Sequence, residues 1–176
     1  MIALKHLADL IQRRNVIDAE IAKIVGRPAE KGHVGEFIAA TLFGIALEQS
    51  ATTAGYDGRF RAGPFAGRTV NIKWYAKREG LLDINPLALP DLFLVLAGPR
   101  TAAAGTRGTT RPWTISEIFL FETPLLLERL RARGTKVGVA TSIPGAEWEA
   151  ARIWPGNGAR LSLADGAEDA LRALSG

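Results

Sequence analysis

The chain has 176 residues, the size of one domain, and is long enough to bury a sizeable core. Its 47% apolar and 23% charged content excludes a disordered chain, and no apolar run nears the ~20 residues of a bilayer span, so a soluble protein with no membrane partner is expected. Cysteine is absent, which excludes disulfides and thiolate metal sites and makes the cytoplasm the expected compartment; a net charge of +4 is too modest to name a polyanionic partner by itself.

Leu4, Leu7 and Ile11, with charges between them, predict an amphipathic helix over Met1–Arg14 rather than a signal peptide. Ile17, Ile21, Ile24 and Val25 follow at helical spacing behind Asn15 as a cap, and Gly26-Arg27-Pro28 stops the run. A second helix is predicted from His33 to Gln49, with Val34, Phe37, Ile38, Leu42, Ile45 and Ala46 as its buried stripe. Glu36 falls in its first turn, where the helix dipole favours a negative charge.

The period then changes to two. Tyr56–Phe60 and Thr69–Tyr75 read as a hairpin across a turn containing Gly63-Pro64 and Gly67. Asp91 introduces Leu92–Leu96, a continuous apolar run suited to a central strand covered on both faces. Residues 98–112, rich in Gly, Thr, Ala and Arg, read as a loop. A strand at Trp113–Phe121, a helix at Pro124–Arg133 and a strand at Lys136–Ser142 follow, then a weak strand at Arg160–Leu163 and a short last helix. The expected architecture is α/β, a mixed central sheet flanked by helices in three layers, within one domain. Residues 1–30 form a helical lead-in, 31–142 the core and 143–176 an extension.

Asn71 and Lys73 lie two apart on the predicted strand, so both project from one face while Val70, Ile72 and Trp74 project from the other. The hairpin partner brings Asp57 alongside them. A carboxylate, an amide oxygen and a lysine on adjacent strands suit phosphodiester hydrolysis with a hard divalent cation, the lysine orienting water and countering phosphate charge.

At Asp57, Asn71-Ile72-Lys73 and Glu36 the chain resembles the PD-(D/E)XK, or restriction-endonuclease-like, superfamily, over roughly residues 31 to 142. The resemblance implies a core of helix, three strands, helix and strand. It further implies Asp57 as the first acid, Asn71-Ile72-Lys73 in the place of D/E-x-K, and Glu36 as the helix glutamate. Mg²⁺, with Mn²⁺ as a substitute, would be held by Asp57, Asn71, Glu36 and the Ile72 backbone carbonyl. Lys73 would be the catalytic lysine, DNA the substrate and a homodimer the working form. The departure is Asn71, which ligates without charge and weakens a site whose affinity depends on its charge count.

Charge distribution adds to this. Residues 59 to 78 contain six Lys or Arg and no acid, and residues 98 to 116 three more arginines and again no acid. Arg59, Arg61, Arg68, Lys77, Arg78, Arg100, Arg107 and Arg111 are therefore candidate nucleic-acid contacts, with Trp74 as a stacking residue. The alternative is a surface whose balancing acids come from elsewhere in the fold. Asp83 reads as a loop or capping acid and Asp91 as a strand-entry residue. A metal-dependent DNA endonuclease is the leading reading. A catalytically silent nucleic-acid-binding module on the same scaffold, or a protein-interaction scaffold, are its alternatives.

Overall fold

The computed structural model describes residues 1–49, 55–100, 112–156, 161 and 163–176. Helix α1 (Ile2–Val25) runs unbroken through Asn15, which does not cap a second helix as expected. A single polar residue in a helix interior costs only a fraction of a kcal/mol, far less than a glycine or proline. The stop at Gly26 is as expected: it adopts φ 73° and donates its N–H to the Ala22 carbonyl.

Helix α2 (Lys31–Phe43) ends earlier than predicted, because Gly44 takes the same left-handed role with φ 62° and an N–H bond to Ala40. Ile45 and Ala46 therefore belong not to a helix stripe but to β1 (Ile45–Leu47), which pairs antiparallel with β2 (Gly58–Phe60). Next come β3 (Thr69–Tyr75), β4 (Leu81–Leu82), β5 (Leu92–Ala97) and β6 (Glu117–Glu122), then α3 (Thr123–Ala132). The chain continues through β7 (Thr141–Ser142), α4 (Gly145–Ala151) and β8 (Arg152–Trp154) to α5 (Ala167–Leu174).

Six strands form a mixed sheet in the order β1-β2-β3-β5-β6-β8, and β3–β5 is its one parallel pair, from Val70↔Leu92 to Tyr75↔Ala97. Parallel neighbours require a crossover. Here residues 76–91 make it without a helix, burying Leu82 and Ile84 against Phe93, Val95, Phe121, α3 and Trp148. On the opposite face Val70, Ile72 and Trp74 join Leu92, Leu94 and Leu96 beneath α2 and α5. Helices thus flank a mixed sheet on both faces, and β5, buried along its whole length, lies at its centre as its unbroken apolar run predicts.

Two expectations for the C-terminal third change. The strand predicted at 136–142 shrinks to β7, which pairs with β4 in a separate ribbon. Ala140 at φ 55° and the Thr141 hydroxyl bonded to the Gly138 N–H and carbonyl curl the segment before it can extend. The sheet's last strand is instead β8, and Leu171 of α5 is fully buried, so residues beyond 142 complete both the sheet and the core. The weak strand predicted at 160–163 lies largely outside the described residues. No helix among the described residues is long and apolar enough to cross a membrane.

Asp91 behaves as a strand-entry residue: its Oδ2 accepts from the Thr69 N–H and hydroxyl, each at 2.7 Å, and its N–H donates to the Thr69 hydroxyl. These bonds to Thr69 hold its carboxyl below the usual aspartate value of 3.8. Gly58 opens β2 where β1 passes closest; a Cβ there would lie 2.5 Å from the Ala46 carbonyl oxygen. Gly58→Ala should therefore force β1 and β2 apart and cost about 2–3 kcal/mol in urea unfolding. A loss within experimental error would show that the edge gives way freely.

Candidate functional site

Asp57 precedes β2 and is clamped by its backbone. Its N–H donates to the Val70 carbonyl and its carbonyl accepts from the Glu48 N–H, both at 2.9 Å. Its Oδ2 accepts from the Ile72 N–H at 2.6 Å, continuing the β2–β3 ladder with a side chain where the strands part. Val70 and Ile72 thus turn their backbone groups toward this gap. Because a strand residue presents its N–H and C=O on the same side, the Ile72 carbonyl points there too.

Glu36 approaches from α2. The helix begins at Lys31, so Glu36 sits in the second turn, and no acid occupies the first; a helix-dipole role does not explain it. Gly35 lets the helix lie close, since a Cβ there would meet Trp74 Cβ at 3.1 Å. Glu36 Oε2 pairs with the Arg27 guanidinium at 2.5 Å, with side chains 18% and 39% exposed. Arg27 is the functional candidate that sequence reading missed. Nine residues separate it from Glu36 across a turn, and no helix or strand period relates them.

Burial raises the Asp57 carboxyl above its ordinary value of 3.8; the Glu36 charge pushes the same way, against the Ile72 N–H, Lys73 and Arg27. Glu36, Lys73 and Arg27 are therefore each near enough to act on the Asp57 carboxyl. The sign of the shift has a measurable consequence. Between pH 3.8 and the raised value the folded chain retains a proton that the unfolded chain has lost, so this group makes stability fall as pH rises through that window. Asp57→Asn keeps an oxygen acceptor for Ile72 but cannot ionise. Its urea midpoint should gain on wild type as pH rises above 3.8 and hold that lead at neutral pH; parallel pH profiles for the two proteins would contradict this.

Asn71 and Lys73 share one half-buried face of β3 while Val70, Ile72 and Trp74 are buried on the other, as the strand period predicts. Asn71 Oδ1 is buried and has no hydrogen-bond partner among the described residues. Such orphaned acceptors are uncommon, and this one is an oxygen suited to a hard cation. Lys73 makes no ion pair among the described residues. Farther along this face the Tyr75 hydroxyl accepts from the Asp83 N–H, and burial pushes its pKa up to about 12. Asp83 Oδ1 accepts from the Ala140 N–H at 2.7 Å, a loop-capping role.

The donors available to a metal are all oxygens: two carboxylates (Asp57 and Glu36), the Asn71 amide and the Ile72 carbonyl. That set fits Mg²⁺ or Mn²⁺ in kind but is short of charge, and no group of three or more His, Cys, Asp or Glu suited to a metal occurs among the described residues.

The acid-free basic segment is balanced in space by acids from other elements. Arg59 lies 4.0 Å from Glu48 and over the Tyr56 ring, and Arg68 pairs with Glu122 at 3.4 Å. Lys77 pairs with Glu79, while Arg78, its side chain 8% exposed, lies between Glu117 and Glu149 over the Phe119 ring. Arg78 therefore ties β6 to α4 within the fold. Trp74 is buried, donates Nε1–H to the Thr114 carbonyl and packs on Trp113, so its ring is covered by protein. Arg61 and Arg100 are exposed, and the backbone of Arg100 bridges to Arg78. Arg107 and Arg111 lie outside the described residues. No protein-family model matches the chain, and no curated protein matches it in sequence.

Proposed function

We propose that the chain is a metal-dependent endonuclease that hydrolyses phosphodiester bonds in DNA, on a scaffold of the restriction-endonuclease-like class. The observation that supports this reading is the Asp57 carboxyl bonded to the Ile72 N–H where β2 and β3 part, near enough to feel both Glu36 and Lys73, with Asn71 Oδ1 buried and, among the described residues, unpartnered on the same strand. Asp57, Asn71, Glu36 and the Ile72 carbonyl would hold Mg²⁺. Bound there, the ion supplies Lewis-acid polarisation of the phosphate and a more acidic water. Lys73, which makes no ion pair among the described residues, orients the attacking water and offsets charge on the non-bridging phosphate oxygens. Exposed Arg61 and Arg100, with Arg59 and Arg68 at the surface, supply phosphate contacts.

A second reading, a binding module without cleavage, is favoured by one observation: Arg27 already neutralises Glu36, so of the two candidate carboxylate ligands Asp57 alone has no ion pair among the described residues. Supercoiled plasmid incubated with Mg²⁺ or Mn²⁺ separates the two. Metal-dependent nicking supports the enzyme. A salt-dependent gel shift without nicking selects the module, and neither result at low salt sinks both.

A further inference from the structure

Helix α1 is 24 residues long, about 36 Å at ~1.5 Å per residue, and buries none of its side chains. Only Asp18, Ile21, Ala22, Val25 and Arg27, at and beyond its C-terminal end, are even half-covered within residues 1–27; everything before Asp18 is exposed. Yet Leu4, Leu7, Ile11, Ile21 and Val25, with Arg14 and Asp18 between them, fall at alternating three- and four-residue steps, and Leu10, Ile17 and Ile24 lie alongside. Leu4, Leu7, Leu10, Ile11, Ile17 and Ile24 are each at least 43% exposed. That spacing is the seam of a two-stranded coiled coil, and an apolar stripe of this length on a folded domain marks an association surface.

Two adjacent seam positions are charged, Arg14 and Asp18, which pair within the helix at 3.4 Å. We infer that α1 pairs antiparallel with α1 of a second copy of this chain, about a two-fold axis at the level of Val16. Charge complementarity within the stripe points to this occupant and orientation. In that register Arg14 of each copy faces Asp18 of the other, closing a four-charge ring at the axis. Ile11 then falls opposite Ile21 of the second copy, and Leu7 opposite Val25. A parallel pair would instead set Arg14 against Arg14 within the seam, a like-charge contact that coiled coils select against. A membrane surface suits the helix less well, because Asp9 and Glu20 share its polar face with Lys5 and Lys23.

Sedimentation velocity of the full chain tests this independently of any nuclease activity. Wild type should sediment as a concentration-dependent dimer, and the Leu7→Glu/Ile11→Glu variant as a monomer. The melting of its core should be unchanged, because α1 buries no side chain. Arg14→Asp and Asp18→Arg should each weaken self-association by about tenfold or more, and an equimolar mixture of the two should restore the dimer. A wild-type monomer at every soluble concentration, or a double variant that remains dimeric, overturns the inference. A mixture that fails to associate overturns the charge-ring register.

Discussion

Asn71→Asp should raise the affinity of the site for Mg²⁺ or Mn²⁺ by about 10- to 100-fold and raise metal-dependent nicking with it. The change is isosteric and places a third carboxylate where an oxygen is already buried without a partner, so no rearrangement of β3 is needed. Without metal the effect should reverse. A new negative charge on a half-buried strand face, near the already destabilised carboxyl of Asp57, has no cation to meet and lowers stability. The signature is therefore a melting temperature below wild type in chelator and a larger gain than wild type on adding metal. Calorimetric titration with Mn²⁺ reads the affinity directly. Equal affinities for the two proteins would show that position 71 does not face a bound ion.

The second large effect belongs to Lys73. Lys73→Met keeps the length of the stem, and with it the packing of a half-buried side chain, but removes the ammonium group. Plasmid nicking should fall by about 10² to 10³-fold, the size expected when one charge-stabilising donor is lost from a transition state. Unfolding by urea should be nearly unchanged, since Lys73 makes no ion pair among the described residues. Binding of uncleaved DNA in the presence of Ca²⁺ should weaken far less than cleavage, because a transition-state interaction adds little to ground-state affinity. A drop in binding that matches the drop in nicking would make Lys73 a phosphate anchor instead.

The parts of the fold legible in the sequence were those with a sustained period or a strong stop. Strand β3 shows its alternation over seven residues, β5 its unbroken apolar run, and Gly26 its helix stop. Strand β1 was hidden because three apolar residues after a helix continue the helical pattern by chance, and only Gly44 marks the boundary. Strand β8 is equally short, and its place beside β6 is set by long-range packing. In the candidate site Asp57, Asn71 and Lys73 were legible because one strand and one hairpin relate them. Arg27 was not, and neither was the pairing of the basic segment with Glu48, Glu122, Glu117 and Glu149. Acids that neutralise a run of bases need only be near in space, and local charge counts are blind to them.

The alternation along β3 has a consequence for how this protein can vary. Positions 70, 72 and 74 answer to the core, while 71 and 73 lie on the opposite, half-buried face. Composition at the second set can therefore drift, from acid to amide for example, without taxing the first. Spacing has no such freedom. Deleting one residue between Val70 and Lys73 would turn the lysine under α2 and lift an apolar side chain to the outer face, damaging core and site together. The strand tolerates substitution one face at a time and tolerates no change of count.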